Sequence, residues 1–433
     1  MILVDAALAR RAGADDPVRV GLVGAGFSGS RIAHQIITAA PGLQLVAIAN
    51  RTLATAEAAL TRAGVGHWRR VDDPEALARA IDAREHAVTT DASVLWSTPA
   101  VDVIVEATGT VEFGASVALA SLQHAKHVIL VNVEMDATVG PALRHYADHA
   151  GVIYSNCDGD EPGVAMNLLR LVRSFGLDPV VAGNLKGFYD RYRTPTTQAR
   201  IARMHRQKPA AMASFADGTK LSMELAVLAN ATGFRVARRG MHGPALKDVA
   251  EAPIWFADKL MPGGMVDYLC GARPGNGAFV LARTENAERA SYLDYLKMGS
   301  GPLYAFHTPF HLPHLEVTNS VARAALFGDA VVTPLGVPVA DAVAVAKRDL
   351  KAGEVLDGLG GYCCYALLEN YREARGEGLL AMGVATGCRL RRAVPRDRTL
   401  TLDDVELPGE RLSDALRAEQ DALLTRALLV AAS

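Results

Sequence analysis

Two lysines in the middle of the chain have neighbours suited to chemistry on a carbonyl group. Lys220 opens a predicted helix in the phrase Asp217-Gly-Thr-Lys-Leu-Ser-Met-Glu224, and Lys186 lies in an otherwise apolar predicted strand. An ammonium group stabilises the charge that develops on a carbonyl oxygen, and a carboxylate one helical turn away can orient that ammonium. The alternatives are a surface ion pair at Lys220 and a solvated sheet edge at Lys186. The predicted catalytic residues are Lys220, Lys186, Glu224 and Asp217.

Other polar residues nearby are candidates for substrate contacts. Asp158-Gly-Asp-Glu-Pro162 is a compact acidic turn before a predicted helix. Its carboxylates are suited to Mg²⁺ or Mn²⁺, to substrate hydroxyls, or only to capping that helix. The histidines at 307, 311 and 314 lie among Pro309 and Pro313, which exclude the i,i+4 face of a helical zinc site and favour a polar substrate or interface loop. The predicted substrate-binding residues are Asp158, Asp160, Glu161, Asn230, His307 and His311, and the first three are also the metal candidates.

A glycine-rich turn near the start of the chain predicts a dinucleotide site. Val18–Val23 has the pattern of a buried strand, Gly24, Gly26 and Gly29 form Gly-x-Gly-x-x-Gly, and a helical pattern continues to Ala39. The glycines permit a tight turn, a close approach of a pyrophosphate to the backbone, and tight packing of the helix on the strand. The helix N-terminus then faces the phosphates.

The next predicted strand ends on Asn50-Arg51, where an NAD-binding unit usually places an acid against the adenosine ribose. An acid would repel a 2′-phosphate, whereas Asn and Arg can bind it, so NADP(H) is the predicted cofactor and a solvated Arg51 is the alternative. Later strands also end on polar residues that should face the ligand. The predicted cofactor-binding residues are Gly24, Ala25, Gly26, Phe27, Ser28, Gly29, Asn50, Arg51, Thr108, Gly109, Asn132 and Glu134.

The order of apolar segments predicts an α/β chain of three domains. Strands and helices alternate up to residue 157, which is typical of a parallel, doubly wound Rossmann domain. The second predicted domain, residues 158–333, is an α+β substrate domain that also provides subunit contacts. It has an edge or second-domain strand at Val180–Phe188, mostly helix over 194–235 and irregular structure over 236–330. Residues 334–433 are predicted to be β-rich, with a strand–turn–strand at Val343–Leu356 and a closing helix.

Several phrases, in their order along the chain, resemble one known group of proteins. They are Glu106-Ala-Thr-Gly109, Asp158-Gly-Asp-Glu-Pro162, Asp217-Gly-Thr-Lys220, Ala346-Lys-Arg-Asp-Leu-Lys-Ala-Gly-Glu-Val-Leu356 and Arg391-Arg-Ala-Val-Pro-Arg-Asp-Arg-Thr-Leu-Thr401. The last two resemble a SAF domain. With the glycine turn, the whole chain is similar to SAF-domain-containing, homoserine-dehydrogenase-like oxidoreductases, including a branch that resembles 1-deoxy-D-xylulose 5-phosphate reductoisomerase.

This resemblance implies an NAD(P)-dependent oxidoreductase whose central domain binds the substrate. We expect an NADP-dependent reaction on a small polar hydroxy-carbonyl compound, with reductoisomerisation as the leading reaction. A homoserine dehydrogenase-type alcohol or aldehyde reaction is one alternative. A non-catalytic, NADP-sensing protein that binds a sugar-like ligand is another.

Composition narrows the partners. Half of the 433 residues are hydrophobic and the formal net charge is −2, which argues against nucleic acid as a partner. The first 16 residues have the pattern of a short helix and not of a secretory signal, and no apolar run is long enough to span a bilayer. Five cysteines without metal-ligand spacing fit reduced thiols. We therefore expect a cytoplasmic homodimer or higher homo-oligomer that acts on a small molecule.

Overall fold

The computed structural model describes residues 2–432, and the side chains of residues 4–429. The described chain groups into two compact units. Unit 1 comprises the residues up to Asp160 together with Leu312–Thr333. Unit 2 comprises Glu161–His311 and the residues from Pro334 onward. The division into three domains stays a prediction.

The helices are α1 (Ile2–Gly13), α2 (Phe27–Ala39), α3 (Leu53–Arg62), α4 (Pro74–Asp82), α5 (Ser93–Ser97), α6 (Val111–Gln123), α7 (Val133–Ala150), α8 (Glu161–Ser174), α9 (Pro195–His205), α10 (Pro209–Asp217), α11 (Thr219–Thr232), α12 (Ala252–Phe256), α13 (Ala287–Tyr295), α14 (Pro313–Ala322), α15 (Tyr371–Gly376) and α16 (Leu412–Ala432).

The strands are β1 (Val18–Val23), β2 (Leu43–Ala49), β3 (Trp68–Arg70), β4 (His86–Thr89), β5 (Val103–Glu106), β6 (His127–Leu130), β7 (Tyr154–Asn156), β8 (Asp178–Lys186), β9 (Met265–Cys270), β10 (Ala278–Arg283), β11 (Leu303–Thr308), β12 (Ala340–Ala346), β13 (Cys364–Asn370), β14 (Arg389–Leu390) and β15 (Val405–Glu406).

Unit 1 contains the predicted Rossmann sheet. Its seven strands run in the order β3-β4-β2-β1-β5-β6-β7, and every pairing is parallel. Both faces of such a sheet are covered, which explains why β1, β2 and β5 are nearly continuous apolar runs. The chain leaves β1 towards β2 and later crosses back to β5. The strand order therefore reverses between β1 and β5, where open α/β sheets bind their ligands.

Helix α14 also belongs to unit 1, although it is distant from the Rossmann strands in sequence. Its residues Val317 and Val321 are fully buried in the same apolar cluster as Val20, Leu22 and Ile32. Burial of each such side chain stabilises by roughly 1.5–3 kcal/mol. This packing explains why residues 312–333 group with unit 1.

Unit 2 is built on a mixed four-stranded sheet in the order β11-β10-β8-β9. Strand β8 pairs antiparallel with β10 and parallel with β9, so it is an interior strand. The prediction of a second-domain strand here is confirmed, but the edge position is wrong. Lys186 ends β8, so solvation of a sheet edge does not explain it.

Two other predicted segments differ from the structure. Residues 236–330 are not irregular, because β9, β10, β11, α13 and α14 lie there. Their apolar runs are about six residues long and are interrupted by Gly and Pro, which hides them from a periodicity analysis. The predicted strand–turn–strand at Val343–Leu356 is half correct. Strand β12 forms, but its partner is β13, with Ala346 opposite Cys364.

The described helices include none that is long and apolar enough to cross a membrane. All five cysteines are free, and four of them are buried. A buried thiol in an apolar environment behaves as a small hydrophobic side chain.

Candidate active site

The glycine turn of unit 1 has the geometry that a bound pyrophosphate requires. Gly24 has φ +100°, and a Cβ there would lie 2.6 Å from the carbonyl oxygen of Ala107. A Cβ on Gly29 would lie 1.9 Å from the carbonyl oxygen of Gly24. Gly26 is exposed, and a Cβ there would meet no atom within 4 Å. As the N-cap of α2, Gly26 offers no side-chain cap, so the first N–H groups of the helix can receive a phosphate.

Asn50 holds this turn in place. Its Oδ1 accepts a hydrogen bond from the N–H of Ala25 at 3.0 Å, and its Nδ2 donates to the carbonyl of Thr52 at 2.8 Å. The side chain therefore ties the end of β2 to the turn after β1. Arg51 is exposed beside it. The contact of Asn50 and Arg51 with a 2′-phosphate stays a prediction, and the structure adds a bracing role for Asn50.

The predicted residues at the other strand ends divide into engaged and accessible groups. Thr108 donates from its N–H and its hydroxyl to the carboxyl of Glu106. Asn132 is fully buried, caps α7 by accepting from the N–H of Met135, and donates to the carbonyl of Thr110. Gly109 is exposed, and Glu134 is partly exposed in the first turn of α7. This helix begins at Val133, whereas the sequence predicts a helix only from Pro141 onward. The cofactor assignments of all four residues stay predictions.

Two buried acids of unit 1 that sequence reasoning did not single out have strongly raised pKa values. Burial raises the pKa of Glu106 to about 7, although hydrogen bonds from Thr108 oppose the rise. Burial likewise raises the pKa of Asp136 to about 7, against hydrogen bonds from Tyr154 and Asn156. An acid at the end of a predicted strand was the only available signal for Glu106. Both groups therefore titrate near neutral pH.

Unit 2 brings both predicted lysines to one buried carboxylate. Lys186 Nζ lies 3.4 Å from Glu224 Oε2 and 3.4 Å from Glu161 Oε1. Lys220 Nζ lies 3.3 Å from Glu224 Oε1, as the i,i+4 spacing predicted. Asn184 Nδ2 donates to Glu224 Oε2 at 2.6 Å. We call these five residues the lysine cluster.

Three elements position the lysine cluster. Asn184 and Lys186 end β8, Glu161 begins α8, and Lys220 and Glu224 occupy the first turns of α11. A left-handed residue, Gly218 at φ +89°, separates α10 from α11. Asp217 Oδ1 accepts from the N–H of Thr219 at 2.8 Å and so stabilises the start of α11. This sharp start fixes where α11 begins, and the i,i+4 spacing within the helix then places Lys220 beside Glu224.

The electrostatics of the lysine cluster keep Lys186 charged. Burial by itself would lower the pKa of the Lys186 ammonium, and nearby Lys220 acts in the same direction. The carboxylates of Glu224 and Glu161 outweigh both effects and raise this pKa above its ordinary value. Lys186 therefore serves at neutral pH as a cation and hydrogen-bond donor and not as a base. Its side chain is 15% exposed and that of Lys220 is 17% exposed, so a small molecule can reach both.

The predicted histidines separate in space. His311 Nε2 lies 3.6 Å from Glu161 Oε1, at the margin of the lysine cluster. His307 is exposed on β11, and His314 lies in α14 of unit 1, where its ring meets Phe27 edge-on at 5.8 Å. Pro313 occupies the first turn of α14. The expectation that the prolines exclude a helix is therefore wrong for the residues that follow Pro313.

The predicted acidic turn also separates. In unit 1, Asp158 Oδ1 lies 3.1 Å from Arg323 Nη1, and Asp158 Oδ2 accepts from the hydroxyl of Ser320 at 3.1 Å. Both carboxylate oxygens of Asp158 are thus engaged, which does not fit a metal ligand. Asp160 is buried, and Glu161 is already the first residue of α8, which the sequence predicts to begin at Val164. A metal site on Asp160 and Glu161 stays a prediction.

Two further predicted site residues have structural partners in unit 2. Asp217 is fully buried and its Oδ2 lies 2.8 Å from Lys347 Nζ. Asn230 is buried, and its Oδ1 accepts from the N–H groups of Val339 and Ala340 at 2.7 and 3.0 Å. These contacts place Asp217 and Asn230 in the packing of the C-terminal segment. Their catalytic and substrate roles stay predictions without added support.

Two protein-family models match the chain, one over the residues of the glycine turn and one over the residues of the lysine cluster. Residues 24–155 match the NAD-binding domain of homoserine dehydrogenase. Residues 159–317 match the catalytic domain of the oxidoreductase DRL. This second match contains all five residues of the lysine cluster. No match was found among curated proteins.

Similar solved structures are distant. Biliverdin reductase from Synechocystis sp. PCC 6803, in complex with biliverdin and NADP⁺, is 15% identical with a TM-score of 0.37, over 72% of this chain and 92% of that chain. Scyllo-inositol dehydrogenase from Lactobacillus casei, with NAD(H) and scyllo-inositol, is 15% identical with a TM-score of 0.36, over 61% and 73%. The two family matches carry the assignment: this chain is an NAD(P)-dependent oxidoreductase in which an NAD-binding domain of the homoserine dehydrogenase type precedes a DRL catalytic domain.

Proposed function

We propose that the protein reduces the carbonyl group of a small, polar hydroxy-carbonyl compound with NADPH, and that the lysine cluster is its catalytic centre. The observation that carries this proposal is the pairing of Lys186 and Lys220 with one buried carboxylate, Glu224, inside the DRL catalytic match. Two ammonium groups at partly exposed positions provide the positive charge that a developing alkoxide requires.

Each residue of the lysine cluster has a definite task in this reaction. Bound NADPH supplies the hydride that the carbonyl carbon accepts. Lys220 donates a hydrogen bond to the carbonyl oxygen, stabilises the negative charge that forms there and gives that oxygen the proton that completes the alcohol, which solvent then restores to the ammonium. Glu224 holds Lys220 and Lys186 at a fixed spacing, and Asn184 fixes the rotamer of Glu224 through a 2.6 Å hydrogen bond. Lys186 keeps Glu161 and Glu224 from facing each other as uncompensated buried charges.

The substrate we favour is 1-deoxy-D-xylulose 5-phosphate, with rearrangement of its carbon skeleton before reduction. The resemblance of the chain to reductoisomerase-like proteins supports this choice, together with Glu161, an acid that lies beside Lys186. A divalent cation held by Asp160 and Glu161 would polarise the hydroxyketone. The SAF-like resemblance of residues 334–433 is part of the same proposal and implies no separate reaction.

The test is a spectrophotometric assay of NADPH oxidation with purified protein, 1-deoxy-D-xylulose 5-phosphate and Mg²⁺ or Mn²⁺, with mass spectrometry of the product. A product with a rearranged skeleton supports the proposal. NADPH oxidation that gives only the unrearranged alcohol would retain carbonyl reduction and refute reductoisomerisation. Absence of turnover by wild-type protein that binds NADPH would refute the substrate.

A homoserine dehydrogenase-type reaction is the second candidate, because residues 24–155 match the NAD-binding domain of that enzyme. Aspartate semialdehyde in the same assay, without added metal, separates the two reactions. Turnover of this aldehyde with none of the ketose phosphate would favour the second candidate.

A further inference from the structure

Helix α13 in unit 2 is thinly packed, with Arg289, Ala290 and Leu293 partly buried and its other residues exposed. It joins β10 to β11, and none of its nine residues is buried. Asn286 caps it by accepting from the N–H of Arg289 at 2.9 Å, which sets its start but covers no apolar surface. Helices this short are marginal in water, and most helical stability in proteins comes from packing an apolar face. The structure therefore shows a short helix whose outer side is not covered by unit 2.

The uncovered face of α13 is apolar. Tyr292, Tyr295 and Leu296 have the i, i+3, i+4 spacing of one helical stripe and are 60%, 82% and 65% exposed. Met298 follows them, and Ile254 of α12 is 83% exposed. We call these five residues the α13 surface. Their exposed area is on the order of 600 Å², at the upper end of the patches that monomeric proteins leave uncovered.

A groove of about 630 Å³ adjoins the α13 surface. Residues in and next to α12, including Pro253, Ile254 and Ala257, line one side of it, and the segments that flank α13, including Met298 and Leu303, line another. The same face of the molecule thus carries both a projecting apolar helix and a largely apolar depression. A two-fold axis makes such a face complementary to itself, because each copy supplies a helix and receives one.

The charges around the α13 surface also favour a second copy over a charged partner. Three acids, Glu285, Glu288 and Asp294, and two bases, Arg289 and Lys297, lie on or next to α13. Arg283, which also lines the groove, is paired with Asp178, so the signs on this face stay nearly balanced. Two copies that meet here do not repel each other, whereas a strongly acidic or basic partner gains nothing from a balanced surface.

We propose that the α13 surface is a two-fold interface at which α13 of each copy packs in the groove of the other. This inference goes beyond the proposed reaction and does not depend on it. Each copy contributes about 600 Å² of exposed apolar residues. With the polar residues around them, the area is close to the ~800 Å² per partner of a standard interface.

Sedimentation velocity and light scattering of the full chain at tens of micromolar test the interface. Wild-type protein should have twice the 45.9 kDa mass of one chain. Tyr295→Asp places two charges in each interface and should raise the dimer dissociation constant at least a hundredfold. Ile254→Asp, on the facing wall of the groove, should have the same effect and remains informative if the first variant does not fold.

The matched control is Met204→Asp, because Met204 is 68% exposed on α9, away from the α13 surface in sequence and in element. Its dimer should be as stable as the wild-type dimer. Circular dichroism and NADPH binding establish that each variant is folded. A monomeric wild type, a folded Tyr295→Asp or Ile254→Asp variant with unchanged dimerisation, or a control that dissociates equally would each overturn the proposal.

Discussion

The two lysines of the cluster should respond differently to the same substitution. Lys220 and Lys186 both contact Glu224, but Lys186 also contacts Glu161. Lys220→Met removes one cation and leaves Glu224 with the ammonium of Lys186 and the amide of Asn184. Lys186→Met removes the cation that two buried carboxylates share. The first change should therefore act mainly on turnover, and the second should act on turnover and on folding.

The magnitudes follow from the contacts. Loss of one donor at a developing oxyanion costs roughly 2.7–4 kcal/mol, so Lys220→Met should lower kcat by about a hundredfold to a thousandfold. Its effect on the free energy of unfolding should stay below about 1 kcal/mol, because Glu224 keeps two partners. Removal of one member of a buried ion pair costs roughly 3–5 kcal/mol, so Lys186→Met should lower the free energy of unfolding by an amount of that order.

Steady-state turnover at saturating substrate and urea unfolding separate the two effects. NADPH affinity, measured by fluorescence titration, should be unchanged in Lys220→Met, because the glycine turn lies in unit 1. The reasoning is refuted if Lys220→Met turns over at the wild-type rate. It is also refuted if Lys186→Met unfolds at the wild-type urea concentration, since two buried carboxylates would then not need its charge.

Three further predictions concern the cofactor, the metal and pH. Arg51→Ala should weaken NADPH binding roughly 5- to 30-fold by titration and spare NADH, as loss of a charge-assisted hydrogen bond implies, whereas Asn50→Ala should weaken both because it loosens the turn; equal losses in Arg51→Ala would exclude a 2′-phosphate contact. Activity should vanish with EDTA and return with Mg²⁺ or Mn²⁺, with a higher metal requirement in Asp160→Asn, and full activity in chelator would eliminate the metal. The folded-state pKa values of Glu106 and Asp136 are raised to about 7, so the stability they contribute is complete below their unfolded pKa values and is lost as pH rises to about 7. For Glu106 this loss is on the order of 3 kcal/mol. Glu106→Gln should flatten the decline in the free energy of unfolding, measured in urea between pH 5 and 8, and an unchanged slope would contradict the assignment.

Local patterns predicted the Rossmann unit well. The apolar runs of β1 and β2 depend on contacts between residues that are close in sequence. The glycines in the turn between β1 and α2 depend on such local contacts as well. The same is true of Lys220 and Glu224, whose spacing within one helix places them side by side. Such local geometry is present in the sequence as a period or a motif.

Long-range pairings were beyond such patterns. Asn184 contacts Glu224, and Glu161 contacts Lys186, only because β8, α8 and α11 pack together. No spacing of residues in the sequence indicates this packing. Asp217 looked like a neighbour of Lys220, yet its partner is Lys347, 130 positions later. Asp158 appeared to belong with Glu161, but Ser320 and Arg323 engage it inside unit 1. Tertiary packing decides which partner an ionisable residue contacts, and a single sequence does not show that packing.

The contrast between the Lys347–Asp217 ion pair and the ion pairs of the lysine cluster separates structure from function. Lys347 is only 2% exposed, and its ammonium donates to Asp217 and to the carbonyls of Arg193 and Gly361 at 2.7–2.8 Å. All three protons of that ammonium are used, so Lys347 has a structural role. The pairs of the lysine cluster are longer, at 3.3–3.4 Å, and their ammonium groups are partly exposed.

Burial of charges costs free energy that such long pairs recover poorly, and apolar side chains of similar volume would stabilise the same position at least as well. The lysine cluster is therefore poorly explained as a device for stability. It is well explained as a set of cations held at partly exposed positions, where the oxygen of a carbonyl substrate can bind. By the same reasoning, Lys347→Met should destabilise folding, and turnover per folded molecule should stay at the wild-type level when corrected for the folded fraction. A variant that folds fully but loses turnover would place Lys347 in the chemistry and end the distinction drawn here.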